Sequence, residues 1–242
     1  MNLSNRTALV TGSTDGIGVA IARALAAEGA RVIVSGRDTT RGEKVVAGIA
    51  EAGGEATFVR ADLAEGLSAA RALATEPVDI LVNNAAMLLA PAPTAEVTED
   101  TIDRALAVNI KAAFLLTGLL APGMAERGHG AIINLGSING LAGSAGSALY
   151  STTKAAVHSL TKSWADEYGP SGVRVNTVAP GPTTTEKTAG WSEHIAPLIA
   201  RTPSRRTSTP EEIAQAVLFL AGDGAANIHG ALLSVDGGYS AV

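Results

Sequence analysis

The chain has 242 residues, which fits one large α/β domain or two small ones, and a chain of that size buries roughly 70% of its extended surface. Eighteen Lys and Arg against 23 Asp and Glu leave a formal charge of −5, so no global basic field attracts nucleic acid or anionic membrane. Cysteine is absent, which excludes disulfides, thiolate metal sites and cysteine nucleophiles together and fits a reducing compartment. The opening Met1-Asn2-Leu3-Ser4-Asn5-Arg6 has no apolar leader core, and the longest mostly apolar stretch, Ala112 to Ala121, falls short of the roughly 20 residues of a bilayer span. The expectation is a soluble, cytoplasmic protein with neither membrane nor nucleic acid as partner.

In chain order, strands are read at 8–11, 31–35, 56–60, 80–82, 131–135, 174–178 and 232–235. Helices lie near 17–28, 41–52, 64–74, 99–126, 148–168 and 211–221. Runs such as Ala8-Leu9-Val10 and Val32-Ile33-Val34 are apolar at successive positions, so both faces of the sheet need cover. The pattern predicts an α/β fold, a doubly wound parallel sheet of about seven strands in a single domain over 1–242. The one long irregular stretch, 179–209, holds a short helix around 191–200 and is expected to form a substrate flap at about 183–209.

The first strand runs into Thr11-Gly12-Ser13-Thr14-Asp15-Gly16-Ile17-Gly18 and then directly into a helix. Glycines there allow close backbone approach to a phosphate, and the helix N-terminus offers free N–H groups, so the turn suits a dinucleotide pyrophosphate. No Gly-Lys-Ser/Thr follows, which excludes a nucleoside triphosphatase loop. The second strand ends Ser35-Gly36-Arg37-Asp38; with Gly36 where an acid would hold a free ribose 2′-hydroxyl, Arg37 suits a 2′-phosphate and NADP is favoured over NAD. Asp15 opposes that choice by its charge. The plain alternative makes Arg37 a surface charge and Asp15 a helix cap.

Tyr150 and Lys154 stand four residues apart at the start of a helix and so share a face. A neighbouring cation favours the phenolate, which suits the pair to proton exchange near neutrality. Ser137 follows the strand ending Ile133-Asn134-Leu135, and Asn109 lies in the preceding helix. Ser137 and the glycine turn both fall beyond the carboxyl ends of strands, where open α/β sheets bind ligands.

Thr11-Gly12-x-x-x-Gly16-x-Gly18, Asn83-Asn84-Ala85, Asn109, Ser137, Tyr150-x-x-x-Lys154, Arg174-Val175-Asn176, Pro180-Gly181 and Val235-Asp236-Gly237-Gly238 together resemble the short-chain dehydrogenase/reductase family, in its single-domain Rossmann-type form, over essentially the whole chain. The chain is similar to the 3-oxoacyl-carrier-protein reductase-like members. The resemblance implies hydride transfer between a nicotinamide cofactor and a carbonyl or secondary alcohol. Tyr150 would be the general acid in reduction, Ser137 would hold the substrate oxygen, Lys154 would lower the tyrosine pKa and bind ribose hydroxyls, and Asn109 would position a relay water. Cofactor contacts are implied at Gly12, Ser13, Thr14, Asp15, Gly16, Ile17 and Gly18 and at Arg37. Asp62 and Leu63 would flank the adenine, Asn83 and Ala85 would wall the adenosine ribose, and Pro180, Gly181, Thr183 and Thr185 would reach the nicotinamide end.

Three positions depart from the family pattern. Ala86 stands where the family usually has Gly, Arg205-Arg206-Thr207-Ser208 replaces Gly-Arg-x-Gly, and Ser171 occupies a place that is often basic in carrier-dependent ketoacyl reductases. Arg205 is read as serving an acidic substrate group or a subunit contact. His129, His158, His194 and His229 have no metal-site spacing and are read as structural or surface residues, and no metal is expected. Gly136-Ser137-Ile138-Asn139-Gly140 is not a hydrolase elbow. Trp191, His194, Leu198 and Ile199 would cover either an apolar substrate or a partner subunit. Apolar residues on more than one face of the helices carrying Asn109 and Tyr150 predict subunit packing, and the resemblance suggests a homotetramer, with a homodimer as the alternative. The leading expectation is NADPH-dependent reduction of a ketone or ketoacyl group. The alternatives are an NAD-linked alcohol dehydrogenase, a nucleotide-sensing protein without chemistry, and a nucleotide-binding methyltransferase.

Overall fold

Seven strands form one parallel sheet: β1 (Thr7–Val10), β2 (Arg31–Gly36), β3 (Glu55–Arg60), β4 (Ile80–Asn83), β5 (Gly130–Leu135), β6 (Val173–Pro180) and β7 (Leu232–Val235). Their spatial order is β3-β2-β1-β4-β5-β6-β7, and every neighbouring pair is parallel. The computed structural model describes residues 2–242, the side chains of residues 192–194 excepted. Its α-helices are α1 (Gly16–Ala27), α2 (Thr39–Glu51), α3 (Leu67–Leu73), α4 (Glu99–Leu106), α5 (Ala112–Arg127), α6 (Ala148–Tyr168), α7 (Ser192–Arg201) and α8 (Pro210–Ala221).

Alternate strand side chains enter separate cores. Val10, Val34, Val82 and Ile133 pack with Ile21 and Leu25 of α1 and Val217 of α8 on one face. Leu9, Ile33, Leu81 and Ile132 pack with Leu73 of α3, Leu116 of α5 and Trp164 of α6 on the other. Period-2 strand geometry sends successive residues to opposite faces, which is why the strands read as unbroken apolar runs. The order of strands reverses between β1 and β4, and the crevice beyond their carboxyl ends is where such sheets hold ligands.

Thr11 joins the two strands at that point. Its hydroxyl, fully buried, donates to the Val82 carbonyl at 3.2 Å and accepts the N–H groups of Asn84 and Ala85, each at 3.0 Å. The Asn84 amide donates in return to the carbonyls of Thr11 and Gly12, at 2.8 and 3.1 Å. These bonds lock the glycine turn to the β4 exit. Gly12 has φ +63°, and a Cβ there would stand 2.9 Å from Ala85 Cα, so both the backbone and the packing require glycine.

One sequence expectation needs correction. The helix read as one element over 99–126 is α4 and α5 joined by a π-helical turn, Ala107–Lys111, centred on Asn109. The whole run Glu99–Arg127 spans 29 residues with a mean hydropathy of 1.6 in its most apolar window, long and apolar enough to cross a bilayer by length and composition. In the fold, Leu116, Leu120 and Met124 of the run are buried in the core. Arg205, where the family pattern has glycine, takes a left-handed φ of +56° and donates its guanidinium to the Ala200 carbonyl in the last turn of α7. Arg206 pairs with Glu212 at 2.6 Å beside the capping box of α8.

Replacing Thr11 by Val keeps the shape but leaves the Ala85 N–H without its acceptor, whereas the Asn84 N–H keeps the Val82 carbonyl at 3.0 Å. Urea unfolding is expected to show a loss of about 1–2 kcal/mol; a change under about 0.5 kcal/mol would mean that the turn is held by other contacts.

Candidate active site

A cavity of about 580 Å³ opens at the carboxyl ends of the strands, running from the glycine turn past the ends of β2 and β3 to Ser137, Tyr150 and Lys154 and on under Trp191 and Leu198. Of the residues expected at a dinucleotide, Gly12, Thr14, Asp15, Gly16, Ile17, Gly18, Arg37, Asp62, Leu63, Ala85, Pro180, Gly181, Thr183 and Thr185 all line it. Asp15 is the N-cap of α1 but makes no side-chain cap bond, so the first-turn N–H groups stay free for an anion. A Cβ on Gly18 would stand 2.3 Å from the Gly12 carbonyl, which keeps α1 tight against the turn. A dinucleotide fits these features: free helix amides, a glycine-lined floor and a buried ammonium with donors to spare.

Ser13 and Asn83 stand outside the lining of this cavity, contrary to expectation. The Ser13 hydroxyl is buried and spent on the sheet, donating to the Val10 carbonyl at 2.7 Å and accepting the Ser35 N–H at 2.9 Å. The Asn83 amide donates to Asn134 at 2.9 Å, at the head of a buried chain through Thr161 to Thr177. Their spacing in the motif pointed at the ligand, but strand alternation turned Asn83 inward at the end of β4, and the turn after β1 folded the Ser13 hydroxyl back onto the strand ends. Ala86, in place of the usual glycine, is exposed and lines the cavity without filling it.

Ser137 follows β5, and Tyr150 and Lys154 come from the first turns of α6. Lys154 is buried and donates to the Leu135 carbonyl at 2.7 Å, which leaves two of its three N–H donors for the cavity. Burial brings its pKa down to about 8. Its Nζ lies 5.7 Å from the centre of the Tyr150 ring, within cation–π reach. Sequence reasoning expected the cation to favour the phenolate. In the protein without ligand burial dominates and pushes the Tyr150 phenol up to about 12, against the opposing hydrogen bond of Ser137.

Asn109 lines a second, small cavity of about 10 Å³ together with Asn83 and Lys154, the size of one water. Its side-chain oxygen accepts the Met87 N–H at 2.6 Å, and its amide donates to the Met87 carbonyl and to Thr153 Oγ1 at 3.2 and 3.1 Å. Thr153 in turn donates to the Tyr150 carbonyl at 2.8 Å. Asn109 therefore ties the β4 exit to the turn carrying the tyrosine, and the π-helical turn gives it the reach.

His158 was read as structural, and its contacts show what it supports. The Ser137 N–H donates to His158 Nε2 at 3.4 Å, so that nitrogen is unprotonated. A Cβ on Gly136 or Gly140 would stand 2.2 or 2.5 Å from the imidazole; the ring fills the hollow under the serine loop. Burial, with the Lys154 charge adding to it, lowers the imidazole to about 4. A buried histidine four residues beyond Lys154 was the available signal for this role. Among the described residues no cluster of histidines and carboxylates is placed to hold a metal, and the His194 side chain lies outside them.

Arg37 is exposed at the cavity rim and, among the described residues, has no carboxylate partner. Asp15 instead faces two cations, Lys187 at 3.2 Å and Arg41 at 3.4 Å.

A family profile described as Enoyl-(Acyl carrier protein) reductase matches residues 12–240. The chain is 40% identical over 246 residues to cis-4-hydroxycyclohexanecarboxylate dehydrogenase of Sinomonas cyclohexanicum, covering 99% of this chain and 98% of that one. A solved structure titled as a short chain dehydrogenase/reductase family protein superposes with TM-score 0.92 at 46% identity over the full length of both chains. A putative NAD(P) dependent gluconate 5-dehydrogenase from Beutenbergia cavernae, solved with NADP at low occupancy, superposes with TM-score 0.94 at 41% identity over 100% of this chain and 99% of that one. These likenesses make the protein an NAD(P)-dependent oxidoreductase acting on CH–OH groups. The chain belongs to the short-chain dehydrogenase/reductase family.

The His158 shift makes stability depend on pH. Between about 6.5, the ordinary imidazole value, and about 4, the unfolded chain binds the proton and the folded one does not, so stability is full above the upper value and falls with pH through the lower. Urea unfolding at about pH 7 and about pH 4.5 is expected to show wild type losing about 2–3 kcal/mol more than His158→Gln. Equal losses would contradict the buried neutral imidazole.

Proposed function

We propose that the protein is an NADP-preferring oxidoreductase that interconverts a ketone or ketoacyl group and a secondary alcohol. The observation that carries this reading is the continuity of one cavity from the glycine turn to Ser137, Tyr150 and Lys154. A bound nicotinamide cofactor supplies the hydride in reduction. Tyr150 gives its phenolic proton to the substrate oxygen, and Ser137 donates a hydrogen bond to that oxygen as negative charge develops on it. Lys154 holds cofactor ribose hydroxyls with its two uncommitted donors, and its charge favours the tyrosinate left behind. Replacement of the proton runs by Lys154 and the small cavity beside Asn109. Asn109 acts mainly by fixing the first turn of α6, since its side chain is committed to Met87 and Thr153.

The preference for NADP is supported by Gly36 in place of an acid and by the exposed Arg37, which has no carboxylate partner among the described residues. Asp15 is the observation that keeps an NAD-linked alcohol dehydrogenase as second reading. For the substrate, Ile138 beside Ser137 and Trp191, Ile195 and Leu198 of the 183–209 flap favour an apolar carbon skeleton. The relative named for cis-4-hydroxycyclohexanecarboxylate acts, by its name, on a ring alcohol, and small cyclic ketones are proposed here. Ser171 weakens a carrier-protein substrate. Exposed Phe114 and Leu119 on α5 support assembly as a homotetramer or dimer, and the absence of cysteine supports a cytoplasmic location.

Tyr150→Phe is expected to lower kcat for cyclic-ketone reduction at least about 100-fold while the Kd for NADPH, read by cofactor fluorescence, stays within about threefold. A fully active variant would overturn the mechanism. Arg37→Ala is expected to weaken NADPH about tenfold or more and NADH little; equal effects would overturn the coenzyme assignment.

A further inference from the structure

The flap between β6 and α8 touches the coenzyme end of the crevice as well as the substrate end. A Cβ on Gly16 would stand 3.3 Å from Thr185 Cγ2, so the flap rests on the glycine turn itself. The next two residues carry opposite charges toward it. Lys187 Nζ lies 3.2 Å from Asp15, and Glu186 lies 3.6 Å from Arg41. Arg41, in the first turn of α2, also lies 3.4 Å from Asp15 and 3.8 Å from Asp38.

Arg41 is therefore shared among three carboxylates, Asp15, Asp38 and Glu186, whereas Lys187 has Asp15 as its one ion-pair partner among the described residues. The Asp15 side chain is only 13% exposed, which makes its charge felt across the cavity more than that of a solvated carboxylate. It stands one residue from Thr14, whose side chain closes on Gly36 at the end of β2, next to Arg37. That is the place where a ribose 2′-phosphate meets the protein, and an uncompensated carboxylate there repels it.

We infer that Lys187 is a coenzyme-specificity residue carried by the flap: by neutralising Asp15 it permits the 2′-phosphate that Arg37 attracts, so that the preference for NADPH depends on the flap lying on the glycine turn. This rests on the NADP reading above and deepens it. The flap then serves both ends of the site, with Trp191, Ile195 and Leu198 over substrate and Lys187 at the coenzyme. The ion pair contributes little to folding, since Lys187 is 62% exposed; its effect falls on the binding of a second negative group.

The test is a double-mutant cycle on the full chain, with Lys187→Met, Asp15→Asn and the pair, each titrated with NADPH and with NADH by cofactor fluorescence. Methionine keeps the apolar stem and removes the charge; asparagine keeps the shape of a residue that makes no cap bond. Lys187→Met is expected to weaken NADPH about 3- to 10-fold and to leave NADH within about twofold. In the Asp15→Asn background the same change is expected to have no effect on the NADPH/NADH ratio. Equal weakening of both coenzymes by Lys187→Met would overturn the inference, because Lys187 would then merely close the flap. A loss for NADPH that persists without Asp15 would also overturn it, because Lys187 would then touch the phosphate directly. Wild type binding NADH more tightly would sink the NADP reading alone, since the cycle still reads whether Asp15 and Lys187 couple.

Discussion

The burial of one ammonium group shapes the reacting end of this protein. Lys154 is placed where the carboxyl end of β5 meets the first turns of α6, out of water and with a single carbonyl for company. A charge in such a place is unfavourable unless its remaining donors find oxygen, and the large crevice lies open beside them. The same burial acts on the neighbouring phenol in the opposite direction. Burial thus leaves a neutral-leaning tyrosine beside a weakened cation, and in the proposed mechanism hydroxyl groups that satisfy the lysine bring the pair to its working state.

Much of the surrounding polar structure serves to hold that pair in register. Thr11 and Asn84 fasten the glycine turn to β4; Asn109 fastens the β4 exit to α6 through Thr153; His158 supports the loop of Ser137 from below. Each of these side chains is buried or partly buried and bonded to the main chain of another element, so the crevice walls move together or not at all. At the far end the electrostatics are handled by exposed groups, with Arg37 left open and Asp15 covered by cations from α2 and the flap.

The parallel sheet and its strands were legible from the sequence because strands buried on both faces read as apolar runs, and their boundaries agree to within two residues. The glycine turn, Ser137, Tyr150 and Lys154 stood out in the sequence through their combination, since a glycine turn or a Tyr/Lys pair alone is common. The inward turn of Ser13 and Asn83 was not legible, since a motif lists neighbours in sequence without saying which way their side chains point. The π-helical turn at Asn109 left no mark because its residues are ordinary helix formers. The upward shift of Tyr150 escaped for a different reason: sequence proximity gives the charge of a neighbour but not the depth of both groups. The ion pairs of the flap join residues more than 140 positions apart, beyond any periodicity.

The account stands most directly on the state of the Tyr150 phenol. Ultraviolet difference titration of wild type against Tyr150→Phe, without ligand and with saturating NADP+, isolates its ionisation. The prediction is that the phenol of the ligand-free protein stays protonated through about pH 10, the ordinary tyrosine value, and that NADP+ moves its ionisation well below that. Ionisation at or below about pH 10 in the ligand-free protein, unmoved by NADP+, would contradict the claim that burial holds the tyrosine until the lysine is satisfied.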